Sequence, residues 1–193
     1  GAEAAPVDAG SYQVVATVVD LNYNGSASET FIIAKAPATV SLSNLAGTYN
    51  GSAHEVLATT TPAGLTVTIT YGGSTAPPID AESYDVVASI QDRNRFGSAS
   101  GTLVVEKAEA FVTFHDLVQT YNGTPRPVTA TTLPPNLRVD FVYAGWPTPQ
   151  IYPGNFTIEG IINERNYRGY RADAMEIRTT ALVRYPPSID GTV

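Results

Sequence analysis

The sequence predicts an all-β chain. Three observations carry the prediction: Val, Ile, Thr, Tyr and Ala dominate, apolar and polar residues alternate with period two, and Gly, Pro and Asn clusters break the alternation at short intervals. In LTVTITY, Leu65, Val67, Ile69 and Tyr71 point one way and Thr66, Thr68 and Thr70 the other, as a strand with one buried face requires. In SYDVVASIQ, Tyr84, Val86, Ala88 and Ile90 alternate likewise, and Val87 predicts partial burial of the second face. ATVSLSNL and GTLVVEKA supply two more strands, with TYNGS, TTPAG, YGGSTAPP and RNRFG as turns. No window of helical length combines helical spacing with capping residues.

This order of elements recurs. AGSYQVVATVVDLNYNGSASETFIIAKA (Ala9 to Ala36) returns as AESYDVVASIQDRNRFGSASGTLVVEKA (Ala81 to Ala108), and in more diverged form as PGNFTIEGIINERNYRGYRADAMEIRTT (Pro153 to Thr180). Tyr12, Tyr84 and Phe156 keep an interval of 72, as do Gly25, Gly97 and Gly169. The other half of the unit occurs twice, as ATVSLSNLAGTYNGSAHEV from Ala38 and AFVTFHDLVQTYNGTPRPV from Ala110. The predicted domains are therefore 1–36, the back half of a first repeat; 37–108, a complete repeat; 109–179, a diverged repeat; and 180–193, a tail or the start of a further module. Five to seven short strands per unit point to small immunoglobulin-like β-sandwiches, with a helix-poor grasp-like sheet as the alternative, because 72 residues is small for a full sandwich. The junctions Lys35-Ala36-Pro37 and Lys107-Ala108-Glu109 are short, which favours stiff stacking in an elongated array.

Composition excludes several functions. The 193 residues include no cysteine, so disulfides, thiolate metal sites and cysteine nucleophiles are out. Net charge is -7 and the only lysines are Lys35 and Lys107, a surface that repels nucleic acid and anionic membrane. No apolar run approaches the roughly 20 residues that span a bilayer, and GAEAAPVDAG does not read as a signal peptide, so a targeting segment is expected elsewhere in a secreted parent.

Thr48-Tyr49-Asn50-Gly51, Pro62-Ala63-Gly64-Leu65, Thr70 to Ser74, Ser83-Tyr84 to Ala88, and Gly97-Ser98-Ala99 to Lys107 together resemble the MBG and related YDG repeats of bacterial surface proteins and adhesins. The second repeat matches throughout and the first where present. The third departs at Asn155, Phe156, Arg178 and Thr179. The resemblance implies an extracellular tandem module at the bacterial cell surface, acting as spacer or in adhesion, with no catalytic residues and neighbouring modules of the same chain as partners.

Searched for chemistry, the chain offers little. It has no Gly-x-Ser-x-Gly, phosphate loop or His-Glu-x-x-His, and His54 and His115 occupy non-equivalent places in the repeat, so no enzyme and no cofactor are expected. Asn24, Asn50, Asn122 and Asn155 head glycosylation sequons, three of them Asn-Gly turns, and the turn reading is preferred. Tyr49 and Tyr121 are expected to be packed rings whose hydroxyls reach backbone.

Asp20, Asn22 and Asn24 in DLNYNG open like a calcium loop, but the twelfth position is Phe31 where a bidentate Glu is needed. Asn24 also becomes Phe96 and then Arg168 in the later repeats, so a turn is preferred and calcium kept as the alternative. The third repeat concentrates aromatic and Arg residues. Phe141, Tyr143 and Phe156 replace core positions, whereas Trp146, Tyr152, Tyr167, Tyr170 and Arg168 form the candidate binding set for host or matrix glycan or protein. Three functions follow: a stalk or spacer of an adhesin-like protein, expected to be monomeric; a binding module through the third repeat; and an accessory domain of a secreted carbohydrate-active enzyme.

Overall fold

The structure, a computed structural model, describes residues 4–179, and its described elements are all strands. The chain divides into two compact units, Gly1–Glu106 and Lys107–Val193. The reading of 180–193 as a tail or further module lies outside the described residues.

The first unit runs β1 (Gly10–Thr17), β2 (Ser26–Ile33), β3 (Ala36–Pro37), β4 (Thr39–Ser43), β5 (Ala46–Thr48), β6 (Leu57–Thr61), β7 (Val67–Tyr71), β8 (Ser83–Ile90), β9 (Arg95–Phe96) and β10 (Ser98–Glu106). β1 and β2 form an antiparallel hairpin that places Tyr12 opposite Phe31. The second repeat adds a front half to the same kind of hairpin. Its sheet has the order β5-β10-β8-β7, with β5 parallel to β10 and β7 antiparallel to β8, and the β4–β6 hairpin lies over β8 and β10 as a second layer. Two layers with one core between them make a small sandwich and not the single grasp-like sheet.

Alternation explains the core. Val86, Leu103, Val105, Val56 and Tyr71 face the β4–β6 layer and are buried, with Leu42, Leu45, Tyr49 and Ile69 packed around them. Val87, on the other face of β8, is 43% exposed, so the partial burial that the sequence predicts for that face is not found at this residue.

The second unit repeats the plan with β11 (Ala108–Glu109), β12 (Phe111–His115), β13 (Val118–Thr120), β14 (Thr129–Leu133), β15 (Asp140–Tyr143), β16 (Gly154–Asn163) and β17 (Tyr167–Arg178). Here β17 carries both parallel partners, β11 at its start and β13 at its end, while β16 and then β15 follow on its other side. The β12–β14 hairpin forms the second layer. Ile158, Ile162, Met175 and Ile177 are almost wholly buried against Phe114, Val128 and Tyr143.

Both cores bury a phenol whose hydroxyl is satisfied by backbone. The Val56 N–H donates to Tyr71 Oη at 3.0 Å, and the Val128 N–H to Tyr143 Oη at 3.1 Å. Tyr71 and Tyr143 thus carry a backbone-bonded hydroxyl that the sequence predicts only for Tyr49 and Tyr121. Tyr49 packs against its core, but Tyr121 is exposed.

Candidate functional site

The DLNYNG turn is built by its carboxylate. Asp20 Oδ1 accepts the N–H groups of Asn22 at 2.7 Å and Tyr23 at 3.1 Å, and Asp92 Oδ1 accepts the Asn94 N–H at 2.8 Å in the next repeat. An Asx turn of this kind uses the oxygens that a calcium loop would turn toward an ion. Among the described residues no group of three or more His, Asp or Glu side chains is placed to hold a metal.

The Asn of this turn does a second job. Asn94 Oδ1 accepts the Ala9 N–H at 2.6 Å and its Nδ2 donates to Asp8 Oδ1 at 2.8 Å, while Arg93 Nη1 lies 3.0 Å from Asp8 Oδ2. Lys35 Nζ donates to the Asp92 carbonyl at 2.7 Å. β3 pairs in parallel with β9, Ala36 and Ala38 donating to the carbonyls of Asn94 and Phe96. The turn of the second repeat therefore grips the end of the first. In the second unit the third repeat places Lys107 Nζ on Asn163 Oδ1 at 2.7 Å and Arg168 Nε on Glu109 Oε1 at 2.6 Å, and its longer Glu164 reaches across to accept the Arg138 N–H.

The five aromatic and Arg candidates do not converge. Tyr167 packs against the core, while Arg168 and Tyr170 line a shallow groove with Glu109 and Ile161. Trp146 closes a tight turn with Tyr143, exchanging backbone bonds of 2.6 and 3.0 Å, and it is 68% exposed; Tyr152, further along the same loop, is 72% exposed. Tyr143 lies opposite Ile158 and Tyr170 opposite Ile161, a separation of about 10 Å along the strand at roughly 3.3 Å per residue. The register thus sets the Trp146 turn apart from the groove of Tyr170 and Arg168.

The Trp146 turn has positive φ at Ala144 (49°) and Gly145 (87°), as its counterpart has at Gly72 and Gly73. Ala144 holds a left-handed conformation that glycine adopts without strain. Ala144→Gly is expected to stabilise the second unit by about 0.5–1 kcal/mol, read from its urea midpoint.

A charged cleft of about 270 Å³ lined by Arg138, Asp140, Asn163, Glu164 and Arg165 was not anticipated. Arg138 Nη2 and Asp140 Oδ1 are 2.7 Å apart. The signal was present in the repeat register, where Arg138 and Asp140 stand in place of Thr66 and Thr68. On β17 the hydrogen bond from Arg171, then that from the Ala174 N–H, holds the Asp173 carboxyl below the usual range. Arg178 does the same for Glu176, which in turn raises Arg178. Asp173, Glu176 and Arg178 keep 35%, 40% and 59% of their side-chain surface in water, which screens them, so the stability they hold above the ordinary carboxylate range, and lose as pH falls, is small.

A family model described as MBG domain matches residues 1–37, 38–109 and 110–181. The chain belongs to the MBG domain family. No curated protein and no solved structure matches it. The MBG match covers all three repeats, so the Asx turn at Asp20 and Asp92 recurs between MBG repeats, with Glu164 in the same place in the third, whereas Trp146 and the charged cleft belong to the third repeat alone.

Proposed function

We propose that these MBG units form a non-catalytic spacer, or stalk, in a large secreted or cell-surface bacterial adhesin-like protein. The joint between the first and second repeats is the observation that supports this reading. A spacer must hold its direction, and here a short ladder, a lysine, an ion pair and a bidentate carboxamide all cross one two-residue connection. Each exposed contact is worth about 0–1 kcal/mol, so stiffness comes from several acting on one short connection. Because the chain lacks cysteine, Gln13→Cys and Asp85→Cys can carry a clean pair of spin labels. A single narrow distance distribution is expected, broadening when Asn94→Ala removes both carboxamide bonds. A broad distribution without that substitution would sink the reading.

A second reading rests on Trp146 and Tyr152, two large aromatic side chains exposed on one loop. In it the third repeat stacks a sugar ring of a host or matrix glycan. A glycan array should then show binding that Trp146→Ala abolishes, and no binding above background removes the reading.

A further inference from the structure

The joint between the first and second repeats has two sides. The gripping side is the loop of Asp92, Arg93 and Asn94 in the second repeat, and the gripped side is Asp8, Ala9 and Lys35 of the first. A phenol holds the gripped side in place. Tyr12 Oη donates to the Asp8 carbonyl at 2.7 Å, and Tyr84 Oη in the second repeat donates to the Asp80 carbonyl at 3.0 Å. The second repeat has the same gripped residue types, Asp80, Ala81 and Lys107, at the interval of 72.

The third repeat keeps one side of the joint and loses the other. Its loop has Arg165 and Asn166 in place of Arg93 and Asn94, takes the Ala108 N–H on the Asn166 carbonyl at 2.9 Å, and takes Lys107 Nζ on Asn163 Oδ1 at 2.7 Å. On its gripped side four positions change together: Tyr152 stands for Asp80, Pro153 for Ala81, Phe156 for Tyr84 and Thr179 for Lys107. Each change removes a contact. Tyr152 has no carboxylate for a carboxamide and a guanidinium to share, and Pro153 has no N–H to give an Asn oxygen. Phe156 has no hydroxyl to hold the carbonyl of residue 152, and Thr179 is too short to reach a carbonyl in a following loop as Lys35 does. The fold of the third repeat does not need the lost groups, since Phe156 still packs against its core and Tyr152 is 72% exposed.

We propose that Tyr152, Pro153, Phe156 and Thr179 close the third repeat to the grip of a following MBG repeat, so that the run of gripped joints ends there and the chain swivels at that connection. This rests on the stiff joint of the spacer reading and gives it a direction: the third repeat carries the loop that grips a preceding repeat and lacks the residues a following one would grip. A following repeat then has only a two-residue backbone ladder of the β3–β9 kind to hold it.

The test inserts a second copy of residues 37–108 after Thr180 of the full chain, which keeps the repeat register, and places spin labels at Thr157→Cys and at Asp85→Cys of the inserted copy. These positions correspond to Gln13 and Asp85 at the first joint. Loss of the single narrow peak of the 13–85 pair is expected across the new joint. Tyr152→Asp, Pro153→Ala, Phe156→Tyr and Thr179→Lys made together in the same protein should restore it. The converse exchange needs no insert: Asp8→Tyr, Ala9→Pro, Tyr12→Phe and Lys35→Thr together should broaden the 13–85 distribution at least as far as Asn94→Ala does. A narrow peak across the new joint with the third repeat's own residues, a broad one that survives their replacement, or a narrow 13–85 peak after the converse exchange overturns this proposal and leaves the spacer reading standing. A broad 13–85 distribution in the unaltered chain overturns both.

Discussion

Gly97→Ala is expected to destabilise the second repeat by about 3–5 kcal/mol, whereas Gly25→Ala should change stability by less than about 0.5 kcal/mol. Both glycines end the same Asx turn. A Cβ at Gly97 would lie far inside van der Waals contact with the Ala38 carbonyl oxygen and 3.1 Å from Ile90 Cδ1. The nearest atom to a Cβ at Gly25 is Val18 Cγ2, at 3.7 Å. The obstacle at Gly97 is backbone, held by the Ala38 hydrogen bond to Phe96, so it cannot turn aside as a flexible side chain would. Gly169, facing the Ala110 carbonyl, should behave like Gly97. Urea midpoints followed by NMR in the second repeat compare the variants. Equal effects at positions 25 and 97 would show that turn geometry, and not the approach of the linker strand, keeps the glycine.

The second large effect is a compensating pair in the third repeat. Gly160→Ala alone should cost about 2–3 kcal/mol, because the new methyl drives into the Phe114 ring, which is also packed 6.0 Å from Phe141 and lies under Arg171. Phe114→Leu alone should cost about 1–2 kcal/mol by leaving space. The double variant restores the Leu42–Ala88 combination of the second repeat and should lie within about 1 kcal/mol of the starting protein, a coupling of roughly 2 kcal/mol or more. Additive losses would show that the two positions do not share a contact.

Much of this fold was legible because the repeat states it three times. The strands over Val67–Tyr71 and Ser83–Ile90, the buried alternation of Val86, Ala88 and Ile90, and the Asn50-Gly51 turn all follow from period two and turn chemistry. Partners were not legible. Periodicity reports which face is buried and is silent about which strand lies alongside, so the parallel pairing of β5 with β10 could not be read. The same limit hid the phenol anchor, because Val56 and Tyr71 meet only across the layers.

At DLNYNG the ambiguity was chemical. A carboxylate and an Asn two residues apart suit both an oxygen-ligand loop and an Asx turn, and only the partner atoms at Asp92 and Asn94 distinguish turn-building from ion-holding. In the third repeat, composition grouped Trp146, Tyr152, Tyr167, Tyr170 and Arg168, but the structure sets the Trp146 turn apart from the Tyr170–Arg168 groove and packs Tyr167 against the core. The Arg138–Asp140 cleft, by contrast, was recoverable by subtracting one repeat from the next.

The grip of Asn94 on Asp8 and Ala9 has a genetic consequence. The second repeat carries the gripping loop at Asp92 to Asn94 and also, at Asp80, Ala81 and Lys107, the same residue types that the first repeat offers to be gripped. In polymer terms it is a bifunctional monomer with complementary ends. Unequal recombination that duplicates this second repeat sets its gripping loop beside an end of the kind it grips, so such a gene can lengthen by one repeat without a compensating mutation at the new joint.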